Sequence, residues 1–148
     1  MKHILPLIAL MALCLTAHAG LSDAIKGEAA APVKASGTKT VIDAILAKDK
    51  DSKPTTVFAV DTPKIYAFWK GTGFKDGDKL RGVWIADDVG EAAPKDTQID
   101  EAEMTVTKAD DFGAFSLSRP NKNWPPGKYH IDIYNGADLA KTLNFTIQ

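Results

Sequence analysis

The sequence predicts an all-β fold, an antiparallel β-sandwich of about seven strands preceded by a flexible N-terminal arm. Three observations carry this. Beyond Gly37, short apolar runs are separated by Pro, Gly, Asp and Asn, which is the texture of strands joined by turns. In Lys128–Tyr134 and Leu139–Ile147 apolar residues recur at alternate positions, the period of a half-buried strand. Asn135-Gly136 stands between those two runs and offers residues that tolerate positive φ in a tight hairpin turn.

The first nineteen residues read as an export signal. Met1-Lys2-His3 is a short positive start, Ile4 to Leu15 an apolar run, and Ala17-His18-Ala19 a small-residue cleavage site. The apolar run is about a dozen residues, short of the ~20 that span a bilayer core. Cys14 as a lipid-attachment site is disfavoured by the bulky Leu13 before it. A periplasmic or secreted product with no membrane span is therefore expected, beginning at Gly20. From Leu21 to Gly37 the chain is rich in Ala, Lys, Ser and Gly with a lone Pro32, so residues 20–39 are expected to be a flexible arm.

The domain proper is expected over residues 40–148. Its strands are read as Thr40 to Ala47, Lys64 to Lys70, Lys79 to Ala86, Ala102 to Lys108, Phe112 to Ser118, Lys128 to Tyr134 and Leu139 to Ile147, with Thr55 to Val60 as an extra, ended by Asp61-Thr62-Pro63. VIDAILAK in the first of these also fits a helical turn or two. In the penultimate strand Tyr129, Ile131 and Ile133 should face inward, and His130, Asp132 and Tyr134 outward. In the last strand Leu143, Phe145 and Ile147 form the inward row.

Removing 19 of the 148 residues leaves 129, enough for one domain with a sizeable core. Cys14 is the only cysteine and departs with the signal, so packing rather than disulfides must hold the mature chain. Lys2 departs too, leaving 17 basic residues against 19 acidic ones, interspersed along the chain. A nucleic acid or an anionic membrane surface would demand a basic face, and neither is expected as a partner.

Gly127-Lys128-Tyr129 at the start of the penultimate strand resembles the tyrosine corner of immunoglobulin-like and fibronectin type III-like sandwiches. The resemblance covers Thr40 to Gln148 and is architectural. It implies that the Tyr129 ring packs while its hydroxyl bonds to nearby backbone, and that Trp84 is a core tryptophan. Ile131 falls where an antibody domain would have its second cysteine, which argues against a true immunoglobulin domain. Such sandwiches host adhesion, chaperone, inhibitor and carbohydrate-binding roles alike, so the fold names no function.

His130 is the only imidazole outside the signal, which rules out a multi-histidine metal site within the mature chain. A Ser-His-Asp triad would have to be built around it alone; the plainer reading is a surface histidine. Acidic pairs at Asp49 and Asp51, Asp76 and Asp78, Asp87 and Asp88, and Asp110 and Asp111 lie in expected turns. They are read as turn formers rather than calcium ligands. As acid and base of a hydrolase they would need a cleft that so small a sandwich has little chain to build. No metal and no cofactor are expected.

Trp124-Pro125-Pro126 lies in a loop beside Arg119, Asn121, Lys122 and Asn123. Its indole either caps the core or stacks on a sugar. In Lys79 to Ala86, Leu80 and Trp84 share one face while Val83 and Ile85 share the other with Arg81, so both faces are apolar. With the penultimate strand as neighbour, Arg81, Val83, Ile85, His130, Asp132 and Tyr134 would share one outer sheet face, covered by a protein partner or by the N-terminal arm. The expected function is a non-catalytic binding or accessory module of the cell envelope, contacting a protein partner through that face. The alternative is a small-ligand or carbohydrate binder using Trp124 and its loops, and the third reading is a hydrolase working through paired carboxylates.

Overall fold

A computed structural model describes residues 39–148. The expected export signal and all but the last residue of the arm lie outside the described residues. Eight strands follow in order: β1 (Val41–Ala47), β2 (Val57–Phe58), β3 (Lys64–Thr72), β4 (Lys79–Asp88), β5 (Thr97–Thr105), β6 (Asp110–Ser118), β7 (Gly127–Asn135) and β8 (Asp138–Ile147), with one 3-10 turn at Gly90–Ala92. They form a three-stranded sheet ordered β1-β3-β6 and a five-stranded sheet ordered β2-β8-β7-β4-β5. Every pairing is antiparallel except β2 with β8. VIDAILA at β1 is a strand, its even-numbered side chains buried and its odd-numbered ones exposed up to Ile45.

Period-two alternation supplies the core from both sheets. Ile42, Ala44 and Leu46 of β1, Ile65, Ala67 and Trp69 of β3, and Phe115 and Leu117 of β6 face Leu80 and Trp84 of β4, Tyr129, Ile131 and Ile133 of β7, and Phe145 and Ile147 of β8. Leu143 is only partly buried, packed at the margin of this core. Phe145 is the hub: its ring stacks on Tyr129 at 5.3 Å and meets Trp84 and Phe58 edge-on at 6.0 and 5.7 Å. Gly82, in the middle of β4, lets the other sheet approach; a Cβ there would lie 2.6 Å from the Phe115 ring, inside any tolerable contact.

Three expected elements differ in detail. β5 begins five residues before its expected start and ends before Val106, because Val106 turns out of the ladder, accepting from Gly77 N–H and donating to the Asp78 carbonyl. The extra strand shrinks to Val57–Phe58. In the β7–β8 hairpin Asn135 and Asp138 are paired across the ladder, so the two-residue loop is Gly136-Ala137. Gly136, at φ 60, takes the first central position, the placement of glycine in a type II′ turn.

The corner at the start of β7 forms as the resemblance implies. Tyr129 is buried and its hydroxyl donates to the Pro125 carbonyl at 2.6 Å. Burial pushes the Tyr129 phenol up to about 12. Trp84 is fully buried opposite Ile131.

Candidate functional site

β4 and β7 are adjacent, and their register sets Arg81 opposite Tyr134, Val83 opposite Asp132 and Ile85 opposite His130. These six side chains share the outer face of the five-stranded sheet. The Arg81 guanidinium lies 4.8 Å from the Tyr134 ring centroid, a cation–π contact, and 3.5 Å from Glu101 of β5. Asp132 accepts from the Thr142 hydroxyl at 2.5 Å and from the Tyr134 hydroxyl at 3.4 Å. His130 is held between carboxylates, Nδ1 against Asp87 and Nε2 3.5 Å from Asp132. Both ring nitrogens are thereby occupied, and among the described residues no serine or threonine hydroxyl is bonded to the imidazole as a triad would require.

This face carries the mixture of aliphatic, aromatic and charged groups expected of it, with its aliphatic part closed off. Val83 is only 6% exposed, flanked by Arg81, Ile85, Asp132 and Glu101 in the ladder. The polar groups beside these aliphatic ones bond within the same sheet, Arg81 to Glu101 and Asp132 to Thr142.

Trp124 does not join the site and stands corrected as a stacking residue. It is 3% exposed, its indole N–H donates to the Thr62 carbonyl at 2.7 Å, and its backbone N–H to the Val60 carbonyl at 2.9 Å. A ring plugged into one end of the core offers no face to a sugar. The carbohydrate reading loses its anchor.

One aspartate of each pair accepts a hydrogen bond from its own turn. Asp49 accepts from the Ser52 hydroxyl and the Asp51 N–H, which hold its carboxyl below the usual range, the Ser52 bond foremost. Asp88 is lowered likewise, by the Gly90 N–H and then by Lys95 at 3.1 Å. Asp78 accepts from Lys75 N–H, and Asp111 from Thr107 N–H. Asp87 and Asp88 belong to one sheet, Asp110 and Asp111 to the other, so the four carboxylates do not converge.

Three of the six exposed large hydrophobic side chains among the described residues share one surface on the opposite side of the molecule, the outer face of the three-stranded sheet. Phe112 is 81% exposed, Val41 60% and Ile45 43%. The register sets Ile45 opposite Phe68, and Lys70 between Asp43 and Phe112. Tyr66 and Phe68 are half-buried with rings stacked at 5.4 Å. A depression of about 400 Å³ opens beside Phe112 and Val41, walled by Asp43, Lys70 and Gly71. The sequence carried a signal for this face. KIYAFWK places Ile65, Ala67 and Trp69 on one side and Tyr66 and Phe68 on the other, the same two-sided apolar pattern that marked β4.

A second concavity, about 700 Å³, separates β1 from β8 and is lined by Ala44, Ile45, Leu46, Lys141, Thr142, Leu143 and Asn144 together with Pro54, Thr55 and Thr56. Lys141 spans it loosely, 3.9 Å from Asp43.

No protein-family model and no curated protein matches the chain. Among solved structures it is similar to an immunoglobulin-like protein from Pseudomonas aeruginosa, at 15% identity and a TM-score of 0.50 over 76% of this chain and 99% of that one. The fold is thus immunoglobulin-like. Weaker likenesses are to one part of a Pseudomonas fluorescens alkylpurine DNA glycosylase (9% identity, TM-score 0.47, 74% of this chain and 30% of that one) and of a Listeria innocua beta-glucosidase (8%, 0.46, 74% and 16%).

Proposed function

We propose that the chain is an exported, non-catalytic binding module that docks a protein partner on the outer face of its three-stranded sheet. The observation that carries this is Phe112, 81% exposed in one face with Val41, Ile45, Tyr66 and Phe68. A largely exposed phenylalanine beside other apolar groups and rimmed by Lys70, Asp43 and Asp110 has the composition of a contact surface, in which aromatics anchor and charges form the margin. The Arg81–Tyr134 face is less suited to lead, because its charged groups already satisfy one another and docking would have to desolvate those pairs. Export rests on the three-part segment at residues 1–19.

The test places a photoreactive residue at position 112, and in a second variant at position 130, of the full chain expressed in the cells that make it. One discrete adduct from position 112 and none from position 130 is the expected result. Adducts from position 130 alone would sink the assignment of the face, and export would fail separately if the chain were recovered uncleaved in the cytoplasm.

A further inference from the structure

Main-chain geometry along β8 shows a strand ladder that stops short. Successive N–H groups of a strand point to alternate edges. Thr146 and Gln148 donate to the Thr56 and Phe58 carbonyls at 2.9 and 3.0 Å, which fixes the even-numbered residues of β8 as those facing away from β7. Thr142 and Asn144 therefore present N–H and C=O groups to the same edge, but β2 covers only Thr146 and Ile147. Across the cleft, the Leu46 carbonyl accepts from Thr55 N–H at 2.9 Å, so Ala44 and Ile42 aim their main-chain groups outward from β1 by the same alternation. Among the described residues no strand pairs with this edge of β1.

Other edges in the molecule are guarded as natural edges usually are. β5 carries Asp100, Glu101 and Glu103, and β6 opens on Asp110 and Asp111. β1 carries only Asp43 beside the exposed Val41 and Ile45. In the cleft the edges of β1 and β8 border an apolar floor of Ala44, Leu46 and Leu143, and the only charge among its lining residues is the cation of Lys141.

We infer that this cleft is a strand-addition site for an extended segment of a partner protein that carries a carboxylate. The segment continues the ladder that β2 begins, bonding to the Asn144 and Thr142 main chain, with small apolar side chains turned toward Leu143 and its carboxylate drawing Lys141 away from Asp43. Backbone bonding supplies affinity and the alternate side chains supply selection. Ile45 borders both the cleft and the apolar face. The inference therefore rests on the reading of that face as a protein-docking surface, and names the form of the docked chain.

The probe is a displayed library of random peptides of about nine residues, the length of a long strand, screened against the full chain, with backbone amide exchange read by NMR. Expected is enrichment of peptides with alternating Val, Ile or Thr and one Asp or Glu, and slowing of Thr142 and Asn144 exchange by at least about tenfold when they bind. Asn144→Pro removes the groove-facing N–H at an edge position where proline is tolerated, and is expected to weaken binding by at least about tenfold, a loss of 1.4 kcal/mol. Asn144→Ala, which keeps the N–H, weakens it less than Asn144→Pro, and Lys141→Glu shifts selection toward Lys and Arg. Should Asn144→Pro unfold the domain, the exchange data and Lys141→Glu decide alone. No enrichment, enriched peptides that leave Thr142 and Asn144 unprotected, or protection of both amides in the chain without peptide would each overturn the inference. Capture of a partner that is lost with Phe112→Asp but kept with Asn144→Pro would overturn it while leaving the docking face standing.

Discussion

The hydroxyl of Tyr129 donates to the carbonyl of Pro125 at 2.6 Å, and so ties the first turn of β7 to the loop that inserts Trp124 into the core. One hydrogen bond fixes both the start of a central strand and the plug at one end of the sandwich. Tyr129→Phe keeps the ring on Phe145 but leaves the Pro125 carbonyl without its donor. The expected loss is about 1–2 kcal/mol in urea unfolding, with no change in the slope of the transition.

The same phenol sets an alkaline limit. Its folded value is about 12 against about 10 in an unfolded chain. A raised value means that folding favours the neutral form, so this stabilisation is complete below about pH 10 and disappears as pH rises toward 12. Up to about 2 kcal/mol should be lost across that window. Comparing urea midpoints of the wild type and Tyr129→Phe at the two ends separates this residue from the lysines, and parallel curves would contradict the assignment.

Gly82→Ala puts a methyl group 2.6 Å from the Phe115 ring. The cost is expected to be about 1–3 kcal/mol of overpacking. Phe115→Leu in the same chain should recover part of it, a non-additivity readable in a double-mutant cycle.

His130→Gln breaks the chain of contacts from Asp87 to Asp132 and should cost about 1 kcal/mol in stability with partner capture unchanged. Phe112→Ser should do the reverse. At 81% exposure its removal should alter stability by no more than about 0.5 kcal/mol while capture falls. A large loss of stability in Phe112→Ser would mean that the ring has a buried role in the full chain.

How much was legible in the sequence follows from where the signal is local. The β7–β8 hairpin could be read because alternation and the glycine turn are properties of one continuous segment, and Tyr129 carried the corner with it. β5 could not be bounded, because an edge strand exposed on both sides, TQIDEAEMT, has no alternation to read, while the buried Val106 lies in the following turn. The six residues expected on one outer face do share it, since β4 and β7 are neighbours. Their cover was not foreseeable, because the bonds among Arg81, Glu101, Asp132 and Thr142 join four strands. The apolar face was legible only in β3, where KIYAFWK is apolar on both sides. Phe112, Ile45 and Phe68 come together only through the order β1-β3-β6, which no local pattern encodes.

Which sheet meets the partner decides the function proposed for this chain. The direct measurement is the yield of crosslinked adduct from the full chain in its own cells, compared between wild type, Phe112→Asp and Tyr134→Ala, with folding of each variant verified by thermal unfolding. Phe112→Asp is expected to abolish the adduct while Tyr134→Ala retains it. An adduct that survives Phe112→Asp and vanishes with Tyr134→Ala would place the contact on the five-stranded sheet and rule out the three-stranded one.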